Sequence, residues 1–234
     1  MSKLRLLSIA LITLYFVNTG YSQVDLGLNA MLGLPQGEFK ENIDNVGFGL
    51  AGHFSWSPNR SVPFSVGLNL GFLTYGSQTK RVPFSTTIPG VTVDLTESNN
   101  LVNFHVLFKI IPQAGKFRPY LEGLFGGAYL YTESKIENAS KGEEIASSTN
   151  FSDWAWSYGA GGGMMIWVYE GKDDVSGRPL PIYLDIKARY LLGSRAEYLK
   201  EGSIRNIGGG NVAYDVLKST TDMLSIHLGA VIFF

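Results

Sequence analysis

Cysteine is missing from all 234 residues, so the chain has no disulfide and no lipid-modified amino-terminal cysteine. Charge is scarce as well, at 17% of residues against the roughly 25% usual in soluble domains. The net charge of -1 offers no basic footprint, which excludes nucleic acid as a partner. Apolar content is an ordinary 45%, too little for a helical membrane protein. Glycine is plentiful, with 28 copies, and aromatics make up 13%. A transmembrane barrel accounts for this mixture, because only alternate residues face lipid and mean hydropathy stays near zero.

The first 22 residues read as a secretory signal and not as fold. Lys3 and Arg5 precede the apolar run from Leu6 to Val17, and Gly20 and Ser22 are small residues at the −3 and −1 positions of a cut before Gln23. The run is short for a bilayer span. The expected domains are therefore a cleaved signal over 1–22 and one domain over 23–234.

From Val24 onward, period-two alternation recurs between glycine, proline and polar breaks. The predicted strands are Val24–Leu34, Val46–Trp56, Phe64 to about Tyr75, Val102–Ile110, Leu121–Tyr131, Trp154–Val168, Ile182–Leu192 and Asp222–Phe234. Each predicted strand is long enough to cross a bilayer at a barrel's tilt. In the seventh, Asp185, Lys187 and Arg189 alternate with Leu184, Ile186 and Ala188. A basic residue facing lipid costs about 2–4 kcal/mol at the midplane, so the charged face points inward. Ten strands remain open, because Thr86–Leu95 or Ile204–Val216 could add a hairpin; the favoured reading makes both segments extensions of neighbouring strands.

The last stretch narrows the class. Leu224, Ile226, Leu228, Ala230, Ile232 and Phe234 form one apolar face that ends on an aromatic carboxy-terminal residue. This resembles the closing strand of bacterial outer-membrane β-barrels. The resemblance implies that Ile226, Leu228, Ala230, Ile232 and Phe234 form the signal read by the barrel-assembly machinery. It extends over nearly the whole mature chain and is to small eight-stranded barrels of the OmpX and OmpA-transmembrane type. The implied fold class is all-β, an eight-stranded antiparallel up-and-down transmembrane barrel in the outer membrane, bathed in lipid and lipopolysaccharide. The chain ends with the barrel, so no peptidoglycan-binding domain is expected to follow it.

Connections after the odd strands are long or polar, and those after the second and fourth are short, which puts both termini on the periplasmic side. The turn after the sixth strand, about eleven residues, is longer than that pattern wants. Aromatic girdles are expected at the two interfaces. Tyr129, Tyr131, Trp154, Trp156 and Tyr190 map to loop ends, while Trp56, Phe64 and Phe234 map to turn ends.

Inward faces collect Asp25, Glu122 and Asp185 with Lys109, Lys187 and Arg189, three negative and three positive charges. An eight-stranded interior is just wide enough for side chains to fill, so the set reads as a paired polar core that holds the barrel shut. His53, His105 and His227 also fall inward, at differing depths, and read as polar-core residues; no metal, cofactor or catalytic residue is expected. A deacylase of lipid A would need His and Ser together on the outer surface, and no histidine faces out. The favoured function is a structural or surface-interaction barrel acting through its loops, around 36–45, 77–98, 135–149 and 194–218, with surface proteins as possible partners. A small-solute or hydrophobic-compound channel resembling OmpW-like barrels is the alternative. The paired charges oppose it, and inward Leu73, Leu107, Leu124 and Met165 favour it weakly.

Overall fold

The structure, a computed structural model, describes residues 23–59, 62–83, 92–139, 142–172, 177, 179–208 and 211–234. The proposed signal over 1–22 lies outside them. Eight strands close into one antiparallel ring: β1 (Gln23–Pro35), β2 (Gly47–Ser57), β3 (Phe64–Pro83), β4 (Thr92–Ile110), β5 (Phe117–Asn138), β6 (Glu144–Lys172), β7 (Pro179–Gly193) and, at the end of the chain, β12 (Met223–Phe233). Each pairs with its neighbour in sequence, and β12 closes the ring on β1 through a register that runs from Asp25 opposite Phe233 to Pro35 opposite Met223. Closure leaves no free sheet edge around the ring itself, as a bilayer requires.

Period-two alternation explains the wall. On one face Leu28, Phe48, Leu50, Leu70, Phe104, Phe125, Ile186 and Leu228 are exposed; on the other, Asp25, His105, Lys109, Glu122 and Asp185 are buried. A soluble protein rarely exposes so large a contiguous apolar surface. Among the described residues no helix is long and apolar enough to cross a membrane.

Several boundaries differ from those read in the sequence. β3 continues past Tyr75 to Pro83, β4 begins at Thr92 and not at Val102, β5 reaches Asn138, and β6 begins at Glu144. Two stretches expected as loops are thus paired hairpins, with Gln78 opposite Glu97 and Lys135 opposite Ser147. Thr92–Leu95 does extend an existing strand, while residues 84–91 lie outside the described segments. Ile204–Val216, however, extends none. It forms a separate hairpin of β9 (Ile204–Gly208) and β10 (Asn211–Tyr214), and β8 (Ala196–Tyr198) pairs with β11 (Leu217–Ser219) beneath it in sequence. The apparent eleven-residue turn after the sixth strand is shortened because Tyr169–Lys172 pair with Pro179–Ile182, after a register shift between Trp167 and Tyr169. Trp167 keeps the inward phase of Met165, and the bulge after it leaves both Val168 and Tyr169 exposed.

The first connection, which reads as loop in the sequence, holds a short helix, α1 (Gly37–Asn42). Its single buried residue, Phe39, is fully covered. Two glycines of β6 show how the wall makes room for its contents. A Cβ at Gly161 would lie 2.8 Å from Arg189 Cγ, and one at Gly163 would lie 2.7 Å from both Lys187 Cβ and Tyr120 Cζ. The long inward side chains of β5 and β7 occupy the volume that these glycines leave.

Candidate functional site

The lumen holds three connected charge clusters. Near the turn end, Asp25 on β1 accepts hydrogen bonds from Lys109 Nζ at 3.3 Å and from Ser55, and His53 Nε2 lies 3.1 Å from it. Lys109 Nζ also lies 3.2 Å from His53 Nε2 and sits over the Tyr120 ring. Beside this group, Asp185 accepts from Tyr120 Oη at 2.6 Å, from Lys187 Nζ at 2.8 Å and from Asn29 Nδ2 at 3.1 Å. Lys187 Nζ donates in addition to Asn29 Oδ1 at 3.2 Å. In the third cluster the Arg189 guanidinium grips Glu122 with two parallel bonds, 2.5 Å and 3.2 Å long, and Nη1 reaches Asn69 Oδ1 at 2.8 Å. A buried charge is tolerable only when paired and hydrogen-bonded, and all six charges meet that condition.

The histidines do not converge. His53 belongs to the Asp25 group, His105 Nε2 lies 2.9 Å from Ser157 Oγ, and His227 Nε2 lies 2.9 Å from Ser225 Oγ. Among the described residues, no three His, Cys, Asp or Glu side chains are placed to hold a metal ion.

Apolar layers lie on either side of the charges. Ile111, Tyr120, Met165, Tyr183, Val231 and Phe233 form a cluster at the turn end, packed partly by Trp167. Arg118, which the sequence reading placed in a turn, is buried and stacks on Tyr183 and Phe233, 4.4 Å and 4.6 Å from their ring centres. Tyr120 was missed too, though Arg118, Tyr120 and Glu122 keep one alternation and could have been read from it. Leu107, Leu124 and Leu191 make a small cluster within the lumen. At the loop end, Phe39 meets Tyr75 and Tyr198 edge-on at 5.6 Å and 5.1 Å, above Met31, Leu73, Leu101, Leu130 and Met223. The Tyr198 hydroxyl bonds with Asn42 Nδ2 at 3.0 Å and Ser219 Oγ at 2.6 Å, tying α1 to the last loop. Glu38 adds a surface tie: the Thr220 backbone N–H, and then the Arg195 guanidinium, hold its carboxyl below the ordinary glutamate range.

The closing-strand residues Ile226, Leu228, Ala230, Ile232 and Phe234 share the outer face, paired through β1 and β7. Tyr129, Trp154, Trp156 and Tyr190 are exposed toward the loop end, Tyr131 is partly covered and stacks on Tyr129, and Trp156 stacks on Phe125. The Trp154 ring lies over Gly127, covering a glycine that would otherwise expose backbone. Phe64 is exposed and Trp56 partly covered at the turn end.

A closed ring of eight antiparallel strands, apolar outside and charged inside, defines a small transmembrane β-barrel of the outer-membrane kind. Solved structures similar to it are outer-membrane proteins. Ail, the attachment invasion locus protein of Yersinia pestis, is 14% identical with a TM-score of 0.36, over 91% of this chain and 97% of that one. Neisserial surface protein A is 11% identical with a TM-score of 0.37, over 91% and 95%. A major outer membrane protein from Thermus thermophilus is 12% identical with a TM-score of 0.36, over 90% and 99%. At these values the fold assignment rests on the strand ring and its polarity. No protein-family model matches the sequence, and no curated protein does.

Proposed function

We propose that this chain is an integral barrel of a bacterial outer membrane that acts as a structural or surface-interaction protein through its loop end. Both termini, with the three short turns, lie in the periplasm on this reading, and the loop end faces outward. The filled lumen is the observation that carries it. Paired charges fill the middle, a Tyr183, Phe233 and Arg118 layer closes the turn end, and Phe39 and Tyr198 close the loop end. Side chains packed across the axis at these three levels speak against the channel alternative. Catalysis on lipid A would need an outward histidine, and all three are buried inside. Lipid and lipopolysaccharide surround the apolar belt, and the barrel-assembly machinery reads the strand ending at Phe234.

Protease shaving of intact cells tests the orientation and loop exposure. Residues 135–138 and 144–149 are paired strand, so cleavage is expected at the connection between Asn138 and Glu144, with the Ser57–Phe64 connection spared. Cleavage at the Ser57–Phe64 connection alone would invert the topology and remove the proposed surface role.

A further inference from the structure

Asn29, Asp185 and Lys187 form one closed triangle in the lumen, and it joins two strands that are not neighbours. Asn29 lies on β1 and the other two lie on β7, with β12 between them. In the register, Gly229 of β12 stands opposite both Asn29 and Asp185. A Cβ at Gly229 would lie 2.6 Å from Asn29 Nδ2, so the missing side chain lets the carboxamide and the carboxylate meet over the intervening strand.

A single oxygen of Asp185, Oδ2, reaches both nitrogens: it accepts from Asn29 Nδ2 at 3.1 Å and from Lys187 Nζ at 2.8 Å. The Tyr120 hydroxyl, 2.6 Å from Oδ1, holds the carboxylate in that position. Lys187 Nζ in turn donates to Asn29 Oδ1 at 3.2 Å. Because a C=O bond is about 1.2 Å long, Nζ stands at most about 4.4 Å from Asn29 Cγ. Bonds form from about 3–3.5 Å, an approach within the freedom of the lysine's terminal torsions. Asn29, Asp185 and Lys187 are 1%, 0% and 3% exposed, so bulk water is kept from all three. An amine and a carboxamide fixed together in this way gain an effective concentration of about 10⁵–10⁸ M. Lys109 makes the contrast, since its partners are the Asp25 carboxylate and the His53 ring, which offer no amide carbon to attack.

We infer that Lys187 and Asn29 join in an autocatalytic isopeptide bond, with Asp185 as the proton carrier. Nζ passes one proton to Asp185 Oδ2 and, as the free amine, attacks Asn29 Cγ while the carbonyl π pair moves onto Oδ1. The tetrahedral intermediate loses a second proton from Nζ. Its Cγ–Nδ2 bond then breaks as Nδ2 takes the proton held on Asp185, and ammonia departs with the second proton as ammonium. Asp185 is again a carboxylate, and no oxidant or cofactor is used. The bond straps β1 to β7 across β12, where the ring closes, and ties positions 158 residues apart. It goes beyond the surface-interaction reading and holds for either orientation of the barrel.

The test is peptide mass analysis of the full barrel, purified from membranes in detergent and shown to be folded by its heat-dependent gel mobility. The protein is then denatured and digested with trypsin. The expected product is one joined peptide carrying Asn29 and an uncleaved Lys187, lighter by one ammonia than the sum of its two parts. It should be lost in Lys187→Arg, whose guanidinium keeps the charge without being a nucleophile, and in Asp185→Asn. Boiled wild type should also run ahead of boiled Lys187→Arg, because a covalent loop keeps the denatured chain compact. Folded wild type in which Asn29 and Lys187 occur only in separate peptides would overturn the inference, and that arm needs no variant to fold. An equal yield of the joined peptide from folded Asp185→Asn would overturn the assigned route.

Discussion

The two ends of the lumen are closed by different kinds of chain. At the turn end the seal belongs to the wall: Arg118, Tyr120, Tyr183, Val231 and Phe233 all project from barrel strands, each with its backbone paired to at least one neighbouring strand. At the loop end the seal is borrowed from connections. Phe39 comes from the six-residue α1, Ile43 from the segment after it, and Tyr198 from the three-residue β8. Removing a wall seal therefore disturbs the whole ring, whereas removing a loop seal requires only local opening. One end fixes the barrel, and the other offers a surface that can change without unfolding it.

The largest effect is expected where a wall charge loses its partner. Glu122→Ala strands the Arg189 guanidinium in the lumen and should cost about 3–5 kcal/mol, read as a lower urea midpoint for the refolded barrel. Phe233→Ala and Phe39→Ala form the direct contrast. Phe233→Ala should cost about 3–5 kcal/mol globally, while Phe39→Ala should leave the urea midpoint nearly unchanged and speed amide exchange around α1. Equal midpoint shifts for the two would erase the distinction between the ends. Leu228→Arg on the outer face should cost about 2–4 kcal/mol and lower the yield of folded barrel; an unchanged yield would contradict the assigned faces. Tyr198→Phe, which cuts the ties to Asn42 and Ser219, should cost about 1 kcal/mol, confined to the loop end.

The smallest effect is a titration. The Thr220 N–H and Arg195 lower the Glu38 pKa, so the ionised form is the one that the fold favours. Their tie to α1 is present at neutral pH and disappears as pH falls through that lowered value. Faster exchange of the Thr220 amide on acidification, absent in Glu38→Gln, is the expected signature. Glu38 is fully exposed, so the barrel itself should not respond.

The contrast between the ends also governs what could be read from the sequence. Wall strands bury one face and expose the other, so alternation marks them, and Asp185, Lys187 and Arg189 announce the inward side by their charge. Beyond the apolar belt that signal fades. Thr79–Arg81 and Ser147–Thr149 are exposed paired strands with no buried face to impose a period, and they read as loop. In α1 a single apolar residue, Phe39, carries the packing, and one residue sets no helical pattern. Arg118 escapes that signal because Pro112 and Gly115 make the stretch from Pro112 to Arg118 read as a short turn. The bulge near Trp167 was invisible because every residue from Met164 to Tyr169 is apolar or aromatic, and either face would accept them.

Single-channel recording of the refolded barrel in a planar bilayer bears most directly on the sealed lumen. With paired charges in the middle and a seal at each end, the bilayer should stay silent across the voltage range while heat-dependent gel mobility shows that the barrel is folded. Reproducible, steady openings from that folded protein would contradict the account, and Lys109, Glu122, Asp185 and Lys187 would then be lining a path.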